Sequence, residues 1–265
     1  MVRRRVGRLS EAAMRVVQAA SVVHEGFTPK LLSGVIGLSG WAVVDAVEEA
    51  EQAGMILGQR FVHDVLRQGV YQGLPGARCA ALHARVAEKI EGEAQPQLVA
   101  EHWFKAGETA RAVECWVKAA KGLSDLGLKA EAIELLERAY QHSSPSQGVN
   151  IHIMMAQHLY ESGEYDKATT LIEKTLLETS DQTTQIRLRV IQIHVLCELG
   201  NIEECNRIIA EHLGQVDSLE EPQVRLEVRW ALTIVYGNTG KFKEALEILR
   251  SDLEPLEQAG PSSIL

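Results

Sequence analysis

Apolar residues recur at helical spacing along most of the chain, whereas the extended pattern of β-strands is confined to one short region. In residues 245–249, for example, four of the five positions are apolar and fall on one side of a helix. Residues 55–57 and 61–63 are the two short extended pieces, and Gly58-Gln59-Arg60 joins them. The pattern therefore predicts an all-α protein with a small β wing.

The first 92 residues form one predicted domain. Ser10 opens the first helix, and Pro29 stands in the first turn of the second, a position that tolerates proline. Three helices followed by a two-stranded wing predict a winged-helix domain over residues 1–92, with two trailing helices. The predicted helices cover residues 9–23, 28–36, 39–53, 64–72 and 75–91.

The second half repeats a glycine motif, Gly-x-x-x-x-(Ala or Cys). Its successive glycines are 20, 36, 37 and 40 residues apart, and the last three steps are close to the roughly 34-residue period of tetratricopeptide repeats. Glycine ends the first helix of a pair because it adopts a left-handed backbone, and the small residue lets two helices approach. Residues 93–265 are thus predicted to form a tetratricopeptide-like α-α superhelix. The motif begins at Gly107, Gly127, Gly163, Gly200 and Gly240.

A helical superhelix offers a groove, and the closing glycines set the register of the residues that face it. The predicted lining mixes polar and apolar side chains with two large aromatics. It suits a protein segment, a peptide or a small effector better than nucleic acid, although an ordinary solvated groove without a ligand remains the alternative. The predicted groove residues are Asn150, Ile153, Gln157, Tyr160, Arg187, Val190, His194, Cys197, Glu227, Trp230, Ile234 and Asn238.

Charge is unevenly divided and argues against nucleic acid as a partner. Residues 1–92 hold 11 Lys and Arg against 9 Asp and Glu, a net +2, and residues 93–265 hold 16 against 27, a net −11. Duplex binding needs clustered cations. In a DNA-reading winged helix, residues 39–53 would enter the major groove, yet this segment carries four carboxylates and no Lys or Arg.

Composition argues against a disordered protein and against a membrane-spanning one. The chain is 46% hydrophobic and 24% charged, as in globular proteins, and it has no apolar run of about 18 residues that could span a membrane. Its four cysteines form no Cys-x-x-Cys pair, which predicts buried free thiols and a cytoplasmic location.

Candidate catalytic and metal sites are weak. The nine histidines are scattered without zinc-ligand spacing, and the chain has no Gly-x-Ser-x-Gly elbow. A phosphate-binding loop of the form Gly-x-x-x-x-Gly-Lys-(Ser or Thr) is also missing. We therefore expect no catalytic residue, no metal and no cofactor, and no enzymatic activity.

The segment Phe61 to Leu74, followed by Arg78, Leu82-His83 and Ala87, resembles the winged-helix part of STAND signalling ATPases. The most similar branch contains MalT-like and LuxR-type bacterial regulators, and the resemblance covers roughly residues 8–142. It implies that Val62-His63-Asp64 corresponds to a Met-His-Asp motif whose His contacts the ADP phosphate. His63 would have this role only with an ATPase domain present, and that domain would precede residue 1.

Three functions remain open from the sequence. The leading hypothesis is a regulatory, signal-transducing module that binds a protein or effector in its groove, as part of or partner to a STAND ATPase transcriptional regulator. The second is a plain tetratricopeptide scaffold that holds proteins together. The third is a DNA-binding regulator that uses the winged helix.

Overall fold

The computed structural model describes Gly7 and residues 9–213 and 222–259, and most of them are helical. The all-helical prediction is confirmed, since a single two-stranded hairpin is the β structure among these residues. The chain divides into two compact units between Ala119 and Ala120. We call them the N-terminal unit and the repeat unit.

Serine and threonine side chains start the first three helices of the N-terminal unit, because each accepts a hydrogen bond from a backbone N–H of the first turn. Ser10, Thr28 and Ser39 accept from Ala13, Leu31 and Ala42, at 3.1–3.4 Å. The helices are α1 (Glu11–Val23), α2 (Pro29–Ile36), α3 (Gly40–Gln52), α4 (Asp64–Gln72), α5 (Gly76–Ile90), α6 (Pro96–Lys105) and α7 (Thr109–Asp125), within which the units divide.

The hairpin follows α3 and consists of β1 (Ile56–Leu57) and β2 (Arg60–Phe61), paired antiparallel. Gly58 turns it with a φ of 61°, and the Gly58 N–H donates to the Glu51 carboxylate at 2.8 Å. A second carboxylate of α3, that of Glu49, accepts from both the N–H and the hydroxyl of Ser10 at 2.6 Å. Two carboxylates of α3 therefore anchor the start of α1 and the hairpin turn. The identity of the domain as a winged helix stays a prediction.

One continuous hydrophobic core fills the first part of the N-terminal unit. It draws on α1 to α5 and on the hairpin, and α1 contacts each of α2, α3, α4 and α5. The aromatic rings of Phe27 and Phe61 meet edge to face within it, with centroids 6.3 Å apart. Segments far apart in sequence thus share one core.

A buried chain of polar groups joins α4, α5 and α6 within the N-terminal unit. The Tyr71 hydroxyl lies 2.9 Å from His83 Nε2, and His83 Nδ1 lies 2.9 Å from His102 Nδ1. The two histidines are 1% and 6% exposed. Burial lowers the pKa of His83 to about 3 and that of His102 to about 4, so both rings are neutral at pH 7. Helix α6 packs on α5, and the two compact units divide after residue 119. The domain boundary at residue 92 stays a prediction.

The repeat unit consists of helices that pack as consecutive pairs. The five predicted motif glycines have φ values between 71° and 85°, the left-handed conformation expected where a helix ends and the chain reverses. Its helices are α8 (Lys129–Gln141), α9 (Pro145–Glu161), α10 (Tyr165–Glu178), α11 (Gln182–Glu198), α12 (Ile202–Ile208) with a π-helical turn (Ile209–Leu213), α13 (Pro222–Asn238) and α14 (Phe242–Ala259).

The hydrophobic core of the repeat unit is divided into clusters between neighbouring helices. One cluster contains Ile172 and Leu188, and another contains Ile193 and Val228. The apolar side chains of each helix are therefore buried against helices that lie next to it in the sequence. The prediction of buried cysteines is correct for Cys205 alone, because Cys79, Cys115 and Cys197 are free but only partly buried.

No single described helix is long and apolar enough to cross a membrane, and the bent pair α2 with α3 passes that test by length and composition alone.

Candidate partner-binding groove

A cavity of about 510 Å³ lies along α9, α11 and α13, and we call it the groove. These are the first helices of three successive pairs. Because α9 packs on α11 and α11 packs on α13, equivalent positions on the three helices face the same side. The groove is lined by Ile153, Met154, Gln157, His158, Arg187, Val190, Ile191, His194, Glu227 and Trp230.

The structure brings most of the predicted groove residues to this cavity. Ile153 and Gln157 line it from α9, Arg187, Val190 and His194 from α11, and Glu227 and Trp230 from α13. Val190 is also part of the hydrophobic core, with 5% exposure, so little of it faces the cavity. Binding of a partner by these residues stays a prediction.

The other predicted residues do not line the cavity. Asn150 is exposed near the start of α9, and Ile234 is half-buried in α13. Tyr160 lies between two other rings, with its centroid 6.3 Å from that of Tyr165 and 5.6 Å from that of His194. Burial, assisted by Glu198, raises the pKa of the Tyr160 hydroxyl.

Cys197 and Asn238 are the remaining two, and they contact each other at the ends of α11 and α13 rather than lining the groove. Seven of the twelve predicted groove residues thus line the cavity, and five do not.

An ion pair fixes the two helices on one side of the groove. Arg187 of α11 donates two hydrogen bonds to the Glu227 carboxylate of α13, both at 3.2 Å. Each side chain is about one-third exposed, so solvent screening leaves the pair a modest contribution to stability. The paired geometry has a second effect, because it fixes the position of one donor group and one acceptor group at the groove wall.

Two histidines give the groove a neutral polar component. Burial lowers the pKa of both His158 and His194, with Lys129 adding to the shift at His158. Within the part of the chain that the structure describes, the buried Nε2 atom of each ring has no hydrogen-bond partner. On the other side of the ring, His158 Nδ1 lies 3.4 Å from the Ser124 hydroxyl. Neutral imidazoles tolerate contact with an apolar ligand, whereas charged ones would not.

Trp230 is the largest exposed side chain at the groove. It is 56% exposed although it belongs to a well-packed helix, and Leu226, one turn before it on α13, is exposed as well. Exposed aromatic residues beside a cavity are typical anchors in protein interfaces, because they bury a large area on binding.

Sequence reasoning missed three lining residues, Met154, His158 and Ile191. Each of them directly follows a predicted groove residue in the sequence, namely Ile153, Gln157 and Val190. A helix presents a stripe more than one residue wide to its neighbours, so an apolar or aromatic residue next to a groove position was the signal available.

His63 lies outside this groove, in the N-terminal unit. It is exposed and stands at the N-terminus of α4, where its side chain makes no capping hydrogen bond. Its carbonyl accepts from the Leu66 N–H at 2.9 Å, and the next residue, Asp64, pairs with Arg67 at 2.6 Å. Among the described residues, no group of three His, Cys, Asp or Glu side chains comes together as a metal site.

Comparisons with known proteins add to this geometry. A family model of the tetratricopeptide repeat matches residues 129–189, which include α8, α9, α10 and the start of α11. A search of curated proteins finds no match. Among solved structures, the chain is similar to a Signal Transduction ATPase with Numerous Domains (STAND) protein with a tetratricopeptide repeat sensor from Pyrococcus horikoshii. The identity is 13% and the TM-score 0.48, over 97% of this chain and 46% of that one, so this chain spans less than half of that protein.

Proposed function

We propose that this chain is a non-catalytic protein-interaction module whose groove binds a segment of a partner protein. The observation that carries the proposal is a cavity of about 510 Å³ with an exposed tryptophan at its edge, built on the first helices of three successive pairs. The tetratricopeptide match over residues 129–189 supports it, because such repeats stack into extended binding surfaces.

The lining defines the kind of segment that fits. Apolar side chains such as Ile153 and Met154, together with neutral histidines, favour an apolar side chain of the partner. A volume of about 510 Å³ lies within the range of roughly 300–1,000 Å³ of typical ligand pockets, enough for one or two large side chains. In the Arg187–Glu227 pair, the guanidinium can donate hydrogen bonds to the partner backbone and the carboxylate can accept them from it. A short apolar peptide with a polar flank therefore fits best.

The proposal is tested by selecting peptides from a random displayed library on the full-length protein and measuring their affinity by fluorescence anisotropy. We expect Trp230→Ala to weaken binding by about tenfold or more, as for an aromatic anchor at an interface. Trp41→Ala is the matched control, because Trp41 is 81% exposed but belongs to the N-terminal unit. Equal binding by wild type and Trp230→Ala would contradict the groove as the site.

A second candidate is a regulatory arm of a STAND ATPase, acting in transcriptional control. It is favoured by the exposed His63 side chain, which is available at the start of α4, and by the sequence resemblance around Val62-His63-Asp64. The four free cysteines support a cytoplasmic location. In this role, the groove would receive the signal and His63 would contact the nucleotide held by an ATPase domain.

This candidate is tested by calorimetry with ADP on the protein mixed with a STAND ATPase domain. A charge-assisted hydrogen bond contributes about 1.5–3 kcal/mol, so His63→Ala should weaken ADP binding by roughly 10- to 100-fold in the mixture. If the variant and the wild type give the same affinity, the regulatory role of His63 is excluded, while the interaction groove is unaffected.

A further inference from the structure

The geometry points to Cys197 and Cys205 as a thiol pair that closes into a reversible intramolecular disulfide, with a small disulfide such as oxidised glutathione as the oxidant. The two Sγ atoms are 3.7 Å apart, in van der Waals contact. A disulfide bond is about 2.05 Å long, so the sulfur atoms have to approach each other by roughly 1.7 Å. This inference concerns a different property from the groove and does not depend on it.

The repeat architecture explains why these two residues meet. Cys197 lies three residues before Gly200 and Cys205 five residues after it, so they face each other across the turn between α11 and α12. The turn is held by the Asn201 N–H, which donates to the Leu196 carbonyl at 2.9 Å. The Asn201 side chain also caps α12 by accepting from the Glu204 N–H at 3.3 Å.

The same two positions recur at the neighbouring glycines, where they hold no thiols. Tyr160 and Ala168 occupy them around Gly163, and Gly237 and Ala245 around Gly240. Alanine is therefore compatible with the position of Cys205, which is fully buried. The repeat motif itself therefore does not account for a thiol at this position.

The two thiols differ in access, and this assigns the order of the reaction. Cys197 is partly exposed and reachable by a small oxidant, whereas Cys205 is 0% exposed. The Cys205 thiol donates to the Ile193 carbonyl at 3.7 Å. Burial raises the pKa of both thiols, that of Cys205 to about 12. High thiol pKa values make the exchange slow in both directions, so a disulfide that has formed persists.

The reaction balances with one molecule of oxidised glutathione. Cys197 loses its proton to solvent, and its thiolate attacks one glutathione sulfur, breaking the S–S bond and releasing one glutathione thiolate. The Cys205 thiol then loses its proton, and its thiolate attacks Cys197 Sγ, which releases the second glutathione thiolate. Both thiolates take up the protons. Two protein thiols are oxidised to one disulfide, and oxidised glutathione is reduced to two glutathione thiols.

The test uses the full chain with Cys79→Ser and Cys115→Ser, so that Cys197 and Cys205 carry the two remaining thiols of the protein. The protein is equilibrated with mixtures of reduced and oxidised glutathione at about pH 8, near the ordinary thiol pKa, then quenched and treated with maleimide. We expect both thiols to disappear in the oxidising mixtures, with the loss of two hydrogen masses, and dithiothreitol to restore them. Trypsin leaves both cysteines in one peptide, residues 190–207, and cleavage after Glu198 shows whether its two halves are linked.

Single variants separate the two roles. With Cys205→Ala, the residue found at the equivalent positions 168 and 245, oxidation should stop at a mixed disulfide between Cys197 and glutathione. With Cys197→Ser, Cys205 should react with oxidised glutathione at least about tenfold more slowly than Cys197 does in the Cys205→Ala variant, because Cys205 is buried. Circular dichroism confirms that each variant is folded. The inference is overturned if the pair keeps two free thiols in the most oxidising mixture, if it stops at a mixed disulfide, or if it closes only in urea.

Discussion

The N-terminal unit and the repeat unit are both helical, but they bury their apolar residues in different ways. In the N-terminal unit, α1 contacts four other helices and one continuous core connects α1 to α5. In the repeat unit, each helix packs on the next ones in sequence, and the core is a series of separate clusters. The first arrangement favours all-or-none unfolding, and the second spreads stability over nearest neighbours. A continuous groove therefore forms on the array, whose successive helices repeat the same face.

The largest expected effect comes from opening a cavity in each core. Leu32→Ala in the N-terminal unit and Ile172→Ala in the repeat unit both truncate a fully buried side chain, at a cost of about 2–5 kcal/mol. Hydrogen exchange with mass spectrometry should show faster exchange across all of α1 to α5 for Leu32→Ala. For Ile172→Ala, we expect faster exchange mainly in α9, α10 and α11, because the Ile172 cluster contains residues of these helices.

Leu177→Ala is the control for both variants, because Leu177 is 90% exposed in α10 and its truncation should change little. If Ile172→Ala speeded hydrogen exchange across the whole repeat unit, as Leu32→Ala is expected to do across α1 to α5, the distinction between one shared core and a series of clusters would be contradicted.

Acid should destabilise the N-terminal unit through its buried histidines. His83 and His102 have folded-state pKa values of about 3 and about 4, below an unfolded value of about 6.5, so the unfolded chain binds protons first. Their contribution is fully present above about pH 6.5 and is lost as the pH falls towards about 4 for His102 and about 3 for His83, by about 1.4 kcal/mol per pH unit for each ring. Between pH 7 and 5 this is about 2 kcal/mol per histidine.

Urea unfolding followed by tryptophan fluorescence measures this loss, because Trp103 and Trp116 are buried in the N-terminal unit. His102→Gln removes one proton site and keeps a side chain that can hydrogen-bond His83, so the stability should fall less steeply with acid. An unchanged pH dependence in this variant would show that His102 is not one of the titrating groups.

The smallest expected effect compares two turn glycines. Gly37 ends α2 with a φ of 69°, and Gly200 precedes α12 with a φ of 71°. A Cβ at either position would meet no atom within 4 Å, so alanine introduces backbone strain alone, about 1–2 kcal/mol at each site. We expect Gly37→Ala to lower the urea midpoint of the whole N-terminal unit, and Gly200→Ala to loosen α11 and α12 locally. Gly237→Ala, inside α13, is the control and should not destabilise, because helical alanine is favoured over glycine.

Much of this structure could be predicted from local chemistry. The capping residues Ser10, Thr28 and Ser39 and the repeating glycines fixed the helix limits to within a few residues, because caps and left-handed turns act within one turn of a helix. One helix, α7, spans the 20-residue step between Gly107 and Gly127. Groove positions in mid-helix followed from the same register.

What the sequence did not predict depends on contacts between distant residues. The hydrogen bond between His83 and His102 joins α5 to α6, and nothing in the spacing of these two histidines reveals it. Tyr160 was assigned to the groove, but its ring packs beside Tyr165 and His194. The repeat motif predicts where helices begin and end but not which side chains meet across a turn, so it does not reveal the thiol contact across Gly200.

The carboxylates of α3 constrain how this domain can evolve. Glu49 holds both polar groups of Ser10 and Glu51 holds the Gly58 N–H, so each acid anchors a different neighbouring segment. Exchanging them for lysine or arginine, the simplest path towards a nucleic-acid-reading surface, would release the start of α1 and the hairpin turn together. A lineage that acquired such a surface on α3 would first need substitute anchors elsewhere. Selection for stability and selection for a new ligand therefore oppose each other at these two positions.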